Sequence, residues 1–284
     1  SPADDNRRSF FYSIADEYDH WREEYIRQET TRRTAARRVL LVNRYYGGTT
    51  ATGQLLEELA EDLVATGIDV TVLTGDLGYE SMAVLPGRNE WANGIHIYRV
   101  PSTQFGRSSI LNRMMDFVSF YLVSLTWIFK ASPNDFTHIL TFTDPPLIAE
   151  LGRVAQRIKR WHFIYCIQDL YPDTALALGL MREGPMFRFL HRLNRKLLLR
   201  ADTVVPISKP MEDHIRALSN SQASQIRIPN WADGDKVKLW PEKDKALLAE
   251  LGMADCYTII YAGNMGLAQQ VNTLIELVKR CKGI

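Results

Sequence analysis

Two adjacent glycines follow the first apolar run of the chain and precede its first long amphipathic stretch. They are Gly47 and Gly48, with Thr49 next to them. Paired glycines let a backbone approach a ligand closely, and the free N–H groups that open a helix favour an anion. The segment matches neither the G-x-G-x-x-G nor the G-x-x-x-x-G-K-[ST] pattern of phosphate-binding loops. It could therefore cradle a diphosphate, or it could be a tight turn from strand to helix.

Two further apolar runs end in short segments that combine an aspartate with a proline. Asp144 precedes Pro145 in one of them, and Asp169 lies two residues before Tyr171 in the other. Because ligands of open α/β sheets bind at the carboxyl edge, these side chains are candidates for an acceptor site. A carboxylate at Asp169 could orient or deprotonate an acceptor hydroxyl. The alternative for Asp169, and the preferred interpretation for Asp173, is a helix cap without a chemical role.

A third glycine-containing loop follows an apolar run near the end of the sequence. It contains Gly263, Asn264, Gly266 and Gln269, ahead of another amphipathic stretch. The two amide side chains could donate hydrogen bonds to phosphate oxygens or to a sugar. The alternative is again a turn from strand to helix.

Short apolar runs alternate with amphipathic stretches along the chain. This pattern predicts the β-α units and the parallel sheet that position these loops. Strands are predicted at residues 39–43, 69–75, 95–100, 138–142, 163–167, 203–206 and 257–262. Residues 1–37 have an apolar helical face and are predicted to form a helical arm. Residues 38–230 are predicted to form a Rossmann-like domain, and residues 231–284 an interdomain crossing with the truncated start of a second one.

Composition restricts the class of protein. The 284 residues are 46% hydrophobic and 24% charged, which indicates a globular chain. A net charge of +1 argues against a surface that is positively charged as a whole and would bind nucleic acid electrostatically. The three cysteines form no C-x-x-C pair, and the polar first residues do not match a secretory leader. We therefore expect a protein of the reducing cytoplasm.

Six short motifs occur in order along the chain, namely YYGGTTATGQLLEELAEDL, TFTDPPLIAELG, IQDLYPDTALALGLM, VVPISKPM, IPNWAD and YAGNMG. Through them, residues 38–284 resemble the family 4 glycosyltransferases, and more narrowly the bacterial branch that includes L-fucosamine and colanic-acid transferases. The resemblance implies a GT-B fold with two Rossmann-like domains. It also implies a UDP- or GDP-linked sugar as donor substrate, retention of the anomeric configuration, and no metal or other cofactor.

The resemblance also assigns roles to individual residues. It places the first glycine pair and Thr49 against the donor diphosphate, Asp169 near the acceptor hydroxyl, and the loop 263–266 against the donor from the second domain. Many members carry Arg and Lys in that second loop, whereas this chain has Asn264 and Gln269. The charge of the diphosphate must then be balanced differently. The E-x7-E element of the family would lie beyond the last residue given.

Two helical stretches have the composition of membrane-surface helices. Residues 117–129 carry no charge and contain Trp127 and Phe129, but they are too few to span a bilayer. Residues 186–200 contain no acid, and their aromatic and leucine positions alternate with cations. The predicted membrane contacts among these cations are Arg188, Arg192, Arg195 and Lys196. The alternative is that each helix simply packs its apolar side on the sheet.

Two functions fit these features. The first is a retaining glycosyltransferase that moves a sugar from a nucleotide-diphosphate sugar to a polyprenyl-diphosphate-linked saccharide at the inner face of the cytoplasmic membrane, in cell-surface polysaccharide or glycan biosynthesis. The second is a non-catalytic, membrane-recruiting subunit that binds the acceptor while another chain supplies the donor domain. An E-x7-E element in a longer reading frame would favour the first function.

Overall fold

The computed structural model describes residues 37–48, 50–76, 89–103, 105, 109–219, 224–232, 234, 245–253, 260–261, 263, 265 and 271–280. Within these ranges the strands are Arg38–Val42 (β1), Asp69–Gly75 (β2), Asn89–Ala92 (β3), Ile95–Val100 (β4), His138–Thr141 (β5), His162–Ile167 (β6), Thr203–Pro206 (β7) and Ser224–Gln225 (β8). They form one sheet in the order β3-β4-β2-β1-β5-β6-β7-β8. Neighbouring strands are parallel except β3, which is antiparallel to β4.

Helices alternate with these strands, as the sequence predicts. The helices of the described residues are Ala51–Ala65 (α1), Ile110–Lys130 (α2), Ala149–Lys159 (α3), Asp173–Ala177 (α4), Pro185–Arg200 (α5), Lys209–Ser219 (α6), Lys245–Glu250 (α7) and Val271–Arg280 (α8). Helix α1 begins three residues before the predicted start at Gln54. The reason is a cap, because the Thr50 hydroxyl accepts a hydrogen bond of 3.0 Å from the Gly53 amide.

Strand β1 lies in the middle of the sheet, between β2 and β5. Its Leu40 lies opposite Thr71 of β2 and Ile139 of β5. Leu40, Leu41 and Val42 have no exposed surface. An apolar run that is buried on both sides is typical of a parallel strand covered by helices on both faces of its sheet. The loops that follow β1, β2 and β5 therefore leave the sheet at the same, carboxyl edge.

The two edge strands, β3 and β8, were not predicted from the sequence. Strand β3 has the polar sequence NEWA and contains no buried residue, and β8 has only two residues. A two-residue turn at Asn93 and Gly94, both with positive φ, connects β3 to β4. Asn-Gly is a strong hairpin signal, so β3 could have been found from its turn although its own residues do not show the pattern of a buried strand.

The chain divides into two compact units. One contains the described residues up to Gln168 together with Lys196–Ile228, and the other contains Asp169–Arg195 together with the described residues from Pro229 onward. The first unit holds the sheet. The predicted arm up to residue 36 and the predicted strand 257–262 lie wholly or largely outside the described residues, and the predicted domain boundaries stay a prediction.

Helix α3 packs unusually close to strand β6 at Gly152. A Cβ atom at this position would lie 2.2 Å from a ring carbon of Phe163, whose side chain has no exposed surface. We expect Gly152→Ala to lower the free energy of unfolding by about 1–3 kcal/mol, because the ring cannot move away without repacking the core. Urea unfolding measures this change.

Gly184→Ala is the matched control, since the nearest atom to its added Cβ would be the Arg182 carbonyl oxygen at 3.9 Å. We expect this control to unfold like the unmodified chain. A Gly152→Ala variant that is equally stable would contradict the close contact between α3 and β6.

Candidate functional site

The loop after β1 folds back onto the first turn of α1. Gly47 and Gly48 have φ angles of 65° and 73°, a region that favours glycine. The Gly47 amide donates a hydrogen bond of 3.0 Å to the Gly53 carbonyl. A Cβ at Gly53 would lie only 2.4 Å from the Gly47 carbonyl oxygen, so glycine is required on both sides of this contact. The predicted neighbour Thr49 lies outside the described residues.

The backbone of Arg44 joins the ends of three strands at the carboxyl edge. Its amide donates to the Asp144 carbonyl at 3.2 Å, after β5. Its own carbonyl accepts hydrogen bonds from the Gly75 amide at 3.0 Å and the Thr74 hydroxyl at 3.1 Å, both in β2. The segment that leads to the glycine pair and the segment of Asp144 and Pro145 are thus held side by side in the first unit.

Burial raises the pKa of two tyrosine hydroxyls near this edge. Burial, followed by the Asp144 carboxylate, raises the pKa of Tyr121 well above its ordinary value. The pKa of Tyr46, beside the glycine pair, is also raised by burial and then by Glu57. A phenol is protonated at neutral pH even without such a shift, so both hydroxyls can donate hydrogen bonds there.

Asp169 and Tyr171 come after β6 in the sequence and belong to the second unit. The structure does not test the role predicted for either residue. Asp169 has an exposed side chain, yet partial burial of its carboxyl group raises its pKa above the ordinary value for aspartate. Tyr171 is half-buried. A pKa raised by burial is common for a carboxylate at a functional site.

The cap predicted at Asp173 is wrong. Asp173 is the first residue of α4, and the cap position falls on Pro172, which makes no side-chain hydrogen bond. Proline cannot use its side chain as an acceptor, so the helix starts without a side-chain cap. The Asp173 carboxylate lies instead 3.8 Å from the His191 ring of α5.

The loop predicted for the second domain is described only in part. Gly263 is exposed and has a φ of 151°. Asn264, Gly266 and Gln269 lie outside the described residues. The contribution of this loop to a donor site stays a prediction.

The predicted membrane contacts are placed on α2 and α5. Phe129 is exposed, whereas Trp127 is half-buried and packs against the rings of Tyr98 and Phe136. All four predicted cations of α5 are exposed, namely Arg188, Arg192, Arg195 and Lys196. No helix among the described residues is both long enough and apolar enough to cross a membrane.

Sequence reasoning missed a set of buried polar side chains beneath the carboxyl edge. Arg44 and Asp116 are 7% and 4% exposed, and the charged groups lie 3.9 Å apart. Asp116 is the one acid in the otherwise apolar and basic sequence of α2. An acid alone on a helix of this kind is a signal that could have been noticed, although its partner could not have been named.

The match to a protein family agrees with this geometry. Residues 50–231 match the family described as glycosyl transferase 4-like domain. Because this match covers more than half of the chain, the chain belongs to that family. The resemblance found in the sequence is confirmed at this level, and the narrower L-fucosamine and colanic-acid branch stays a prediction.

Known proteins resemble this chain in sequence or in fold. The probable glycosyltransferase WbjE from Pseudomonas aeruginosa is 21% identical over 145 residues, which are 51% of this chain and 36% of that protein. Sucrose-phosphate synthase from Thermosynechococcus elongatus matches with a TM-score of 0.61 at 14% identity, over 86% of this chain and 60% of its own. Anabaena HepE in complex with UDP-glucose has a TM-score of 0.56 at 15% identity, over 86% and 57%.

The likenesses to the two solved structures show the fold. The Rossmann-like, parallel-sheet architecture of GT-B glycosyltransferases, predicted from the sequence, is confirmed. The chain spans less than two thirds of the length of each of these three proteins.

Two aspartates of the chain should titrate on opposite sides of the ordinary value. Burial raises the pKa of Asp169, whereas the hydrogen bond from Lys209 lowers the pKa of Asp213. As the pH rises, we expect the carboxyl NMR resonance of Asp213 to titrate first and that of Asp169 to titrate second. The variants Asp169→Asn and Asp213→Asn assign the two resonances. Because the folded state holds the Asp169 proton more tightly, the stability that this group contributes is present at low pH and is lost as the pH rises through its pKa.

The opposite order of titration, or identical titration of both residues, would contradict the partial burial of the Asp169 carboxyl group. The matching asparagine variants should remove one titrating signal each and leave the other in place.

Proposed function

We propose that this chain belongs to a retaining glycosyltransferase that moves a sugar from a nucleotide-diphosphate sugar to a lipid-linked saccharide. The observation that carries the proposal is the family match over residues 50–231. It is supported by the likeness in fold to HepE, a protein whose structure holds UDP-glucose. We further propose that the second, donor-binding domain continues beyond residue 284, as the length of the relatives suggests.

In this proposal the glycine loop binds the donor diphosphate through its backbone. A Cβ at Gly48 would meet open space, whereas one at Gly47 would lie 3.1 Å from the Glu57 carboxylate, and α1 begins three residues after Gly48. The partial positive charge at the amino end of a helix stabilises phosphate oxygens without a metal ion. Gly263, Asn264, Gly266 and Gln269 would add hydrogen bonds from the second domain. This arrangement would replace the Arg and Lys that many family members use.

Asp169 would act on the acceptor. Its carboxylate would orient the acceptor hydroxyl, whose oxygen forms a bond to the anomeric carbon as the bond from that carbon to the diphosphate oxygen breaks. The nucleoside diphosphate leaves with the bonding electron pair, and the hydroxyl proton passes to Asp169 or to the departing diphosphate. Asp144, Pro145 and Tyr171 would line the acceptor side.

Substitution of Asp169 tests this role in the full-length protein. We expect Asp169→Asn to lower turnover by about 10²–10⁴-fold, the range measured when a general acid or base is lost, while the affinity for the nucleotide sugar stays unchanged. Radiolabelled sugar transfer and isothermal titration calorimetry measure the two quantities. Asp213→Asn, on the exposed surface of α6, is the matched control.

Unchanged turnover in Asp169→Asn would remove this residue from the mechanism. Vesicle binding without any turnover in the unmodified full-length protein would favour the membrane-recruiting subunit instead.

Helix α2 presents an apolar face that suits a membrane surface. The exposed apolar residues of this helix repeat at intervals of three, four and seven, and they are Leu111, Met114, Met115, Val118, Leu122 and Phe129. Its other large exposed side chains are the cations Arg113 and Lys130, and its one acid is buried. An apolar stripe flanked by cations and free of acids is typical of a helix that lies in the interface of an anionic membrane.

Helix α5 has the same character with more charge. Its exposed positions include Met186 and Phe189 as well as the four cations predicted to contact membrane, and its sequence contains no acid. Each cation near an anionic surface contributes about 1 kcal/mol to binding. We therefore propose peripheral association with the inner face of the cytoplasmic membrane, where a polyprenyl-diphosphate-linked acceptor would be presented.

Vesicle sedimentation tests the membrane proposal. We expect the double variant Val118→Asp, Leu122→Asp to weaken binding to phosphatidylglycerol vesicles by at least about tenfold. Two apolar contacts with the membrane are then replaced by negative charges that the anionic surface repels. Reversal of Arg192, Arg195 and Lys196 to Glu should have a comparable effect. Ile158→Asp, which changes an exposed apolar residue of α3, is the matched control and should bind normally.

Sedimentation of both multiple variants at the level of the unmodified protein would refute the membrane proposal. Equal loss in the Ile158→Asp control would show that the effect is general repulsion and does not depend on the α2 and α5 surfaces.

A further inference from the structure

The inner face of α2 contacts the loop that follows β4. The Asp116 carboxylate accepts hydrogen bonds from the Thr103 hydroxyl at 2.8 Å and the Phe105 amide at 3.0 Å. The Ser119 hydroxyl accepts one from the Thr103 amide at 2.9 Å. One side of α2 is therefore attached by polar contacts to a loop of the carboxyl edge, while the other side is the exposed apolar stripe.

The same helix also holds the loop that follows β5. The Tyr121 hydroxyl donates to the carbonyl oxygens of Pro145 and Pro146. A single helix thus fixes two loops of the edge where Asp144 lies.

Arg44 extends this arrangement to the loop that follows β1. Its guanidinium lies 3.9 Å from the second oxygen of Asp116, and its central carbon lies 5.0 Å from the ring centre of Phe117. The Arg44 and Asp116 side chains are 8% and 5% exposed. A charge buried to this degree is costly unless an opposite charge accompanies it, so each group constrains the position of the other.

We propose that Arg44 and Asp116 form a positioning pair through which α2 fixes the glycine loop for the donor. Arg44 lies three residues before Gly47, and its backbone already joins β1 to β2 and β5. Its guanidinium faces the Asp116 carboxylate and an aromatic ring. The arginine therefore acts on the donor through the loop, without touching the diphosphate.

The alternative role for an arginine beside a glycine loop is direct contact with the diphosphate, and the two roles give opposite results at Asp116. If Arg44 bound the donor directly, neutralising Asp116 would leave that contact in place or strengthen it. If Arg44 positions the loop, loss of either partner releases the same constraint. The effects of the two substitutions are then not additive.

A double-mutant cycle on the full-length protein tests the pair. Its kinetic measurement rests on the proposed function. The variants are Arg44→Met, Asp116→Asn and their combination. The asparagine keeps an oxygen acceptor for Thr103 and Phe105, and the combination leaves no buried charge unpaired. Thermal unfolding of each variant ensures that only folded protein is compared.

We expect each single variant and the combination to raise the KM for the nucleotide sugar by about tenfold, while kcat stays within about twofold. The combination should be no worse than Arg44→Met alone. Neutralising the exposed pair of Lys209 and Asp213 on α6, whose charged atoms lie 2.5 Å apart, is the matched control and should leave KM unchanged.

Hydrogen exchange of the Gly47 amide supplies a second readout that does not depend on turnover. This amide bonds to the Gly53 carbonyl, so release of the loop should speed its exchange in the Arg44 and Asp116 variants but not in the α6 control. If the unmodified protein transfers no sugar while this exchange still rises in the variants, the proposed function fails and the positioning pair stands.

Two results would overturn the proposal. An unchanged KM together with unchanged exchange in the folded combination would show that the pair serves stability alone. A raised KM in Arg44→Met with a normal or lower KM in Asp116→Asn would show that the arginine contacts the donor itself.

Discussion

The parallel pairing of β1 between β2 and β5 is the constraint on which the described structure depends. Parallel strands deliver their following loops to one edge of a sheet, and the polar backbone groups of those loops must find partners where they are buried. At this edge the amide and carbonyl of Arg44 are the hydrogen-bond partners of backbone groups at the ends of β2 and β5. The glycine loop therefore starts from a fixed point, and a side chain at its Gly48 would meet open space.

Helix α2 adds a second level of organisation to that edge. Its buried side uses Asp116, Ser119 and Tyr121 to hold the loops after β4 and β5, and Asp116 also compensates the charge of Arg44. Its opposite side exposes an apolar stripe without an acid. Under the proposed function, a helix that contacts a membrane on one side and these loops on the other would hold the carboxyl edge of the sheet at a set distance from a lipid-linked acceptor.

Features of the fold that depend on the local pattern of apolar residues could be predicted from the sequence. The central strands have continuous apolar runs, so their positions were found, and the glycine pair could be assigned to the loop after β1. Contacts between distant residues could not be found in this way, because nothing in the sequence joins Arg44 to Asp116 before the chain has folded. The cap at Asp173 was wrong because Pro172 occupies the cap position. The second-domain residues Asn264, Gly266 and Gln269 lie outside the described residues, and their roles depend on a domain of which little is described.

Nucleotide release by the full-length protein is the most direct test of the central claim. The protein would be incubated with each of a panel of UDP- and GDP-sugars, with and without vesicles that contain polyprenyl-diphosphate-linked saccharides, and free nucleoside diphosphate would be measured. We predict release from one donor that depends on the lipid-linked acceptor. Absence of acceptor-dependent release across the panel, from protein that still binds the vesicles, would contradict it.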